Sequence, residues 1–345
     1  MNLDEYVPLP SLVTKKTLVK RARFPVIDAH NHLDEEFGGG WINKPLASLL
    51  ALLDDVNVKV FVDLDGSWNE KMLQKHLNHF KQKAPESFKI FGGVDWSKWE
   101  GHGNRFPDHA AKRLREQVRW GAEGLKIWKD LGWHIRDAEG KLVQVDDPRL
   151  RVIWQTAAEL NIPVTMHYGD PVAFFEPLDE RNERYEELTA HPEWHVPCPP
   201  YPKFEQLTVS FAKLVYENPQ TTFIGAHMAG YAENLRWVGK LLDKCPNLYV
   251  DISSRIAELG RQPYTARRFF IHYADRILFG LDESPDKIAY QTAYRFLETD
   301  DEYFSYAMSL IPPQGRWQIY GLYLPDDVLK KIYYDNAYRA LRILQ

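Results

Sequence analysis

Two histidines separated by one residue follow the first apolar segment of the chain. Residues 24–27 predict a buried strand, and His30 and His32 come at its end. Side chains at positions i and i+2 of a strand point to the same face, so both imidazoles should aim at one point. Neutral imidazole binds zinc and other divalent transition metals. The pair therefore predicts half of a metal site, and the other half must come from other strand ends.

Residues of similar chemistry stand at the ends of later apolar segments. Lys126 lies in the fourth segment, His167 ends the fifth, His227 ends the sixth and Asp282 ends the eighth. Chance readily places one such residue at a strand end, but it does not readily place all of them. Imidazole and carboxylate ligands suit zinc, with manganese as an alternative.

The elements that carry these residues alternate regularly. Eight short apolar segments each precede a segment of helical character, which predicts an α/β fold, the parallel (β/α)8 or TIM barrel. The carboxyl ends of its strands meet at one mouth, where active sites lie. A doubly wound open sheet has the same alternation, but no G-x-G-x-x-G motif follows the first strand. The expected strands lie near residues 24–27, 58–64, 88–95, 124–128, 162–167, 221–227, 248–252 and 276–282.

We expect a single domain over residues 1–345, because no linker-like segment or sequence repeat interrupts the chain. The barrel should occupy about residues 24–300. An insertion rich in proline and charge, residues 170–201, follows the fifth strand. A C-terminal helical extension covers about residues 301–345, with its helix expected over residues 325–341. An insertion of this length often covers a functional site.

The composition is that of an ordinary globular protein, with 44% hydrophobic and 26% charged residues. A net charge of −5 gives no support for nucleic acid or an anionic membrane as a partner. The first residues lack the basic and apolar regions of a signal peptide, and Cys198 and Cys245 form no disulfide framework. We therefore expect a cytoplasmic protein. Two further histidines, His76 and His79, stand among lysines on one helix and are expected to be solvated.

Taken together, these motifs resemble the amidohydrolase superfamily, in particular the amidohydrolase-related branch, also called amidohydrolase family 2. The resemblance extends from about residue 24 to about residue 340. One departure is Leu281, where the family usually has Thr or Ser before the aspartate of strand 8, and it should alter a hydrogen bond rather than abolish the metal. The motifs are Asp28-Ala29-His30-Asn31-His32, Gly124-Leu125-Lys126, residues 166–171 (MHYGDP), residues 225–230 (GAHMAG), residues 276–282 (RILFGLD) and Asp335-Asn336-Ala337.

The predicted metal ligands are His30, His32, His167 and Asp282. Asp282 would also accept a proton from a water whose pKa a divalent metal lowers to about 7. His227 would polarise the substrate or bind a second metal. We therefore predict Asp282 and His227 as catalytic residues.

Lys126 and Arg255 are predicted to bind an anionic substrate, Lys126 as an ammonium group and Arg255 as an anion clamp after strand 7. In binuclear members of the superfamily, a lysine on strand 4 is carboxylated and bridges two metals. In the family-2 branch one metal is more common. We therefore favour one divalent metal, with zinc before manganese, and keep a second metal on a carboxylated Lys126 as the alternative.

The resemblance implies a metal-dependent hydrolase that acts on a carbonyl centre, in a lactone, amide or ester of a small anionic molecule. The alternative is a non-oxidative decarboxylase, a carboxy-lyase, of an aromatic or muconate-type acid, since the same branch holds such enzymes. A metal-binding barrel without turnover is the third possibility, which an intact ligand set disfavours. The partner is a small-molecule substrate, and the branch often forms homo-oligomers.

Overall fold

A computed structural model describes residues 6–343 of the protein. Residues 1–5, where no signal peptide was expected, lie outside this range, as do residues 344–345. Within it, eight short parallel strands lie side by side in the order of the sequence. Most of them pair with the next strand in a ladder, and β3 meets β4 through an isolated bridge. They are β1 (Val26–Asn31), β2 (Val58–Asp63), β3 (Phe88–Ile90), β4 (Leu125–Ile127), β5 (Val164–Met166), β6 (Phe223–Gly225), β7 (Leu248–Asp251) and β8 (Ile277–Leu278).

Ladders join β1 to β3 and β4 to β8, and Gly92 forms an isolated bridge that links β3 to β4. The Gly92 amide donates to the Gly124 carbonyl at 2.9 Å, and the Lys126 amide donates to the Gly92 carbonyl at 2.9 Å. A side chain at Gly92 would collide with Gln117, whose oxygen lies 2.1 Å from the place of a Cβ atom. A Cβ atom at Gly92 would therefore displace the Gln117 carboxamide from its bonds to the Gly93 backbone.

The first and last strands meet through two further backbone bonds. The Ala29 amide donates to the Phe279 carbonyl, and the Asp282 amide donates to the His30 carbonyl, each at 2.9 Å. These bonds bring β8 beside β1 and complete the ring of strands. The expected TIM barrel is confirmed, and the doubly wound open sheet is not.

A helix follows each strand and covers the outside of the barrel. Apolar side chains between strands and helices form the larger core, while a smaller core fills the barrel interior with Ile27, Val60 and Ile224 among its members. The helices that follow β1 to β8 are, in order, Leu46–Val56, Glu70–His76, Phe106–Trp120, Arg151–Glu159, Phe204–Glu217, Leu235–Lys244, Pro263–His272 and Lys287–Glu298. Shorter helices are Trp99–His102, Asp130–Trp133, Tyr185–Ala190, Ile256–Gly260, Asp326–Lys330 and Asn336–Ala340.

The C-terminal extension is helical only in its last part. Residues 301–325 contain no helix. An antiparallel bridge between Phe304 and Ile319 brings the two halves of this stretch together. The terminal helix predicted over residues 325–341 corresponds to Asp326–Lys330 and Asn336–Ala340, which are joined by the wider turn Lys331–Asp335. Its final helix, Asn336–Ala340, places Ala337 and Ala340 against the interior core and so closes the bottom of the barrel.

The insertion at residues 170–201 is held to the barrel by a buried charge pair. Arg184, in the insertion, binds Glu258, which follows β7, and both side chains are 1% exposed. Arg184 also donates to Glu187 at 2.8 Å within the insertion. None of the helices in residues 6–343 has both the length and the apolar character needed to cross a membrane.

Candidate active site

The barrel mouth gathers one carboxylate and two imidazoles at the junction of β8 and β1. His32 Nε2 lies 3.1 Å from Asp282 Oδ1, and His30 Nε2 lies 3.5 Å from the same oxygen. One ligand atom from each of the three residues lies within 4.8 Å of the others. Both histidines are on β1 or directly after it, so the i and i+2 relation holds as expected.

A buried carboxylate fixes the orientation of each imidazole. His30 Nδ1 lies 2.9 Å from Asp251 Oδ2, and His32 Nδ1 lies 2.6 Å from Asp65 Oδ1. An Nδ1–H group that donates to a carboxylate leaves the Nε2 lone pair free for a metal. Because both Nε2 atoms face Asp282, the two rings present their lone pairs to one point.

The charges around these rings differ. Burial and the nearby Lys126 ammonium lower the pKa of His30. Burial also acts to lower the pKa of His32, but the carboxylates of Asp65 and Asp282 outweigh it and raise that pKa to about 10. A cation therefore suits the position between His32 and Asp282, whether a proton or a metal supplies the charge.

Asp282 is the most accessible of these groups, with 21% of its side chain exposed. Burial acts to raise its pKa, but the imidazoles of His30, His32 and His227 hold that pKa well below its usual range. The Ser254 hydroxyl donates to Asp282 Oδ2 at 3.2 Å. The carboxylate is thus ionised and open to solvent on one side, as a proton carrier must be.

His227 stands in a left-handed turn directly after β6. Three consecutive residues, His227, Met228 and Ala229, have φ angles of 58°, 57° and 52°. Two contacts fix the turn. The His227 amide donates to Asp251 Oδ1 at 2.9 Å, and His227 Nδ1 lies 2.9 Å from the Ser253 carbonyl oxygen. Side chains with a Cβ atom adopt this conformation at a cost, which surrounding contacts must offset. The result points His227 Nε2 towards Asp282 Oδ2, 3.7 Å away.

His167 lies beside the cluster rather than in it. Its ring centre is 4.4 Å from that of His227, while its Nε2 atom lies 2.9 Å from Asp170 Oδ1. Lys129 in turn binds Asp170. Burial lowers the pKa of His167 to about 4, although Asp170 opposes this. Of the four predicted metal ligands, the structure therefore brings three into one group and places His167 next to His227.

Lys126 is almost wholly buried at the centre of the mouth. Its Nζ atom lies 3.2 Å from His30 Nε2 and 4.8 Å from the centre of the Trp128 ring. Burial lowers its pKa to about 8, although the carboxylates of Asp282 and Asp251 oppose this. The ammonium is thus a buried cation beside the candidate metal ligands.

Arg255 also lies at the mouth, 6% exposed, with its guanidinium donating to the Ser254 carbonyl at 2.8 Å. Its charge contributes to the lowered pKa of His227 and acts on Glu187 of the insertion. Arg255 therefore lies where the insertion meets the site, rather than at the outer surface.

An aromatic wall, defined here as Trp128, Trp68 and Phe37, leads from the site to solvent. Trp128 stacks on the His32 ring at 5.5 Å, Trp68 stacks on Trp128 at 4.1 Å, and Phe37 stacks on Trp68 at 5.8 Å. Trp68 and Phe37 are 37% and 47% exposed. Planar groups prefer to stack on such rings.

The residues present fit a divalent metal. Two imidazole nitrogens and one carboxylate oxygen are the donor types that zinc and manganese accept, and three protein ligands are usual at catalytic zinc sites. The Nδ1 partners Asp251 and Asp65 provide the outer hydrogen bonds that metal-bound histidines normally have. His30, His32 and Asp282 would hold the ion.

The sequence prediction missed the supporting residues Asp65, Asp251 and Ser253. Asp251 ends β7, and the strand-end position that identified Asp282 could have identified it as well. It also placed His76 in solvent, which is wrong, since His76 is 0% exposed and binds Asp63. The apolar neighbours of His76 on its helix, Leu73 and Leu77, carried that signal.

Comparison with known proteins agrees with this fold. The chain superposes on a 2,6-dihydroxybenzoate decarboxylase complexed with 2,6-dihydroxybenzoate (17% identity, 93% of this chain and 99% of the other, TM-score 0.58). It also superposes on a dihydroxybenzoic acid decarboxylase from Polaromonas sp. JS666 with bound manganese and 2-nitroresorcinol (16%, 93% and 97%, TM-score 0.56). A third match is an uncharacterised TIM-barrel protein from Bordetella bronchiseptica (15%, 92% and 99%, TM-score 0.55). At these identities the likeness supports the fold.

No curated protein sequence matches the chain. Residues 102–343, in contrast, match the sequence profile of a family described as amidohydrolase. This range includes Lys126, His167, His227 and Asp282, and covers well over half of the chain. The resemblance seen in the sequence motifs is confirmed, and the protein belongs to the amidohydrolase family, in its family-2 branch.

Proposed function

We propose that this protein is a metal-dependent carboxy-lyase that removes CO₂ from a small planar acid, aromatic or conjugated. The observation that carries the proposal is the position of Lys126, whose ammonium lies over the Trp128 ring and against His30. A cation beside an aromatic surface, next to metal ligands, suits a flat anion whose carboxylate faces the metal site. The decarboxylases among the structural matches support this choice.

In the proposed reaction the bond between the ring carbon and the carboxylate breaks, CO₂ leaves, and the carbon takes up a proton. When bound, the metal would supply positive charge that neutralises the substrate carboxylate. Lys126 adds a second positive charge and the aromatic wall holds the ring. Asp282, which is ionised and open to solvent on one side, would take a proton from water and pass it to the carbon. His227 Nε2, 3.7 Å from Asp282 Oδ2, would orient the Asp282 carboxylate.

Hydrolysis of a lactone, amide or ester is the second candidate. The low pKa of Asp282 favours it, because an ionised carboxylate beside the metal ligands can take a proton from an attacking water. Binding without turnover has less support, since the carboxylate and both imidazoles are intact. The two reactions use the same residues and differ in their products.

The first experiment measures the metal content of the purified protein by elemental mass spectrometry, beside a His30→Ala/His32→Ala double variant. One equivalent of manganese or zinc, lost in the variant, would support the single-metal site. Two equivalents in the wild type that are lost when Lys126 is replaced by alanine would indicate that a carboxylated Lys126 bridges two metals. No metal after purification with added Mn²⁺ and Zn²⁺ would contradict a metal-dependent reaction.

The metal-loaded protein is then tested with dihydroxybenzoates, measuring CO₂, and with a panel of lactones, measuring acid release. We expect CO₂ release that falls at least a hundredfold in Asp282→Asn. Acid release without CO₂ would replace the carboxy-lyase by the hydrolase. An identified activity that Asp282→Asn leaves untouched would refute both mechanisms.

A further inference from the structure

Behind the metal ligand His32, a chain of buried polar residues extends away from the site. His32 Nδ1 lies 2.6 Å from Asp65 Oδ1. The backbone amide of Asp65 donates to Asp63 Oδ1 at 3.0 Å, and the other oxygen of Asp63 binds His76 Nδ1. Asp63, Asp65 and His76 are all 0% exposed. The chain therefore connects the metal site to the helix Glu70–His76.

Three of these side chains could in principle hold a cation themselves, since ligand atoms of Asp63, Asp65 and His76 lie within 4.8 Å of one another. Their bonding argues against it. Asp65 already accepts from His32 through Oδ1, and through Oδ2 from the amides of Leu33 and Asp34 at 2.6 and 2.9 Å. Both carboxylates are thus engaged by protein donors.

His76 is directed at Asp63. Its Nε2 atom is buried and has no hydrogen-bond partner in residues 6–343, so its polar contact there is the one that Nδ1 makes with Asp63. Two carboxylates this close in a buried site need a positive partner. Burial lowers the pKa of His76, but Asp63 outweighs this and raises it above the ordinary value. A charged His76 supplies the compensation.

We propose that His76 is a positioning residue for the metal ligand His32. It fixes the Asp63 carboxylate, Asp63 holds the backbone of Asp65 at the start of the turn Asp65–Ser67, and Asp65 then orients the His32 ring. The proposal rests on the metal site proposed above. The residues that support the metal site would then include His76, which lies outside the barrel mouth at the end of the helix Glu70–His76.

The chain offers a matched control. His79 lies one turn after His76 on the same helical segment, and both rings contact Phe80, at 5.4 Å for His76 and 4.7 Å for His79. His79 Nε2 is also buried without a partner in the described residues. The variants His76→Gln and His79→Gln differ in the link to Asp63, and also in burial, since His76 is fully buried and His79 is half-buried.

The experiment measures the dissociation constant for Mn²⁺ by calorimetry in full-length His76→Gln, Asp63→Asn and His79→Gln. We expect the constant to rise roughly tenfold or more in the first two variants and to stay within twofold of wild type in the third, because partners of metal-bound histidines contribute this much to affinity. Circular dichroism establishes that each variant is folded. Unchanged affinity in folded His76→Gln and Asp63→Asn would overturn the proposal.

A second measurement works on the metal-free protein and so separates this proposal from the proposed function. The Nδ1–H proton of His32, assigned by its absence in His32→Asn, should appear as a downfield NMR resonance protected by Asp65. We expect its exchange with water to accelerate at least tenfold in His76→Gln and not in His79→Gln. Equal exchange in both variants would refute the positioning role, whereas a wild type that binds no Mn²⁺ but shows the difference would refute only the metal-dependent reaction.

Discussion

His30 and His227 share one hydroxyl group. The Ser253 Oγ atom lies 3.0 Å from Nδ1 of each ring, and the two ring centres are 4.9 Å apart. The same hydroxyl donates to Asp251 Oδ1 at 2.5 Å. Asp251 and Ser253 therefore orient two rings at once. One belongs to a candidate metal ligand on β1, and the other to a candidate catalytic residue after β6.

Asp251→Asn tests this shared support. The change keeps the size of the side chain but removes the charge that fixes the His30 ring. We expect the dissociation constant for Mn²⁺ to rise about 10- to 100-fold. Asp243→Asn, on a surface helix where Asp243 accepts from the Tyr273 hydroxyl, is the control and should bind as wild type does. Equal affinity in the two variants would mean that Asp251 does not orient His30.

The aromatic wall should determine how well planar substrates bind. Trp68→Ala removes the central ring of the stack, and an aromatic pair contributes about 0.5–1.5 kcal/mol beyond its buried area. We expect KM for an active aromatic acid to rise up to about tenfold while kcat changes less. Trp120→Ala, at a tryptophan 40% exposed at the end of the helix Phe106–Trp120, should leave KM unchanged. An unaltered KM in Trp68→Ala would exclude the wall from substrate binding.

The left-handed turn that carries His227 should cost stability. Ala229 has a φ angle of 52°, which glycine adopts without penalty. We expect Ala229→Gly to raise the free energy of unfolding by about 1 kcal/mol, measured by urea denaturation. Ala212→Gly, inside the helix Phe204–Glu217, should lower it by about 1 kcal/mol. A loss of stability in Ala229→Gly would show that the turn is not strained.

The buried pair of Arg184 and Glu258 should hold the insertion in place. Glu258→Gln leaves a guanidinium in a site where both side chains are 1% exposed, and breaking such a pair costs about 3–5 kcal/mol. We expect that loss in urea denaturation, together with faster proteolysis within residues 170–201. Glu183→Gln, which breaks the more exposed pair with Arg261, should cost less than about 1 kcal/mol. Similar losses in the two variants would contradict an anchoring role.

The sequence predicted the barrel and the residues at its strand ends because both follow from local patterns. Alternating strands and helices indicate the fold, and a ligand residue after a strand is placed by that fold. The supporting residues were harder to find, since Asp65 resembles any aspartate that begins a turn. Which nitrogen of His167 faces Asp170 depends on a contact in three dimensions, and spacing cannot predict it.

Residues 301–325 show a second limit. This stretch follows the last barrel helix and precedes the final one, and the sequence predicted no helix within it. It is held by contacts distant in sequence, such as the bonds from Thr17 to Asp301 at 2.6 Å. Because such contacts determine its structure, the segment shows no helix or strand periodicity of apolar residues from which that structure could be predicted.

The junction of β8 and β1 also determines when the site can form during synthesis of the chain. Asp28 accepts from the amide of Leu281 across this junction, and the two residues are 253 positions apart in the chain. A ribosome releases the amino-terminal part first. His30 and His32 are therefore made long before Asp282, and until β8 arrives they lie apart from that carboxylate. The complete set of candidate metal ligands exists only after Asp282 has been synthesised.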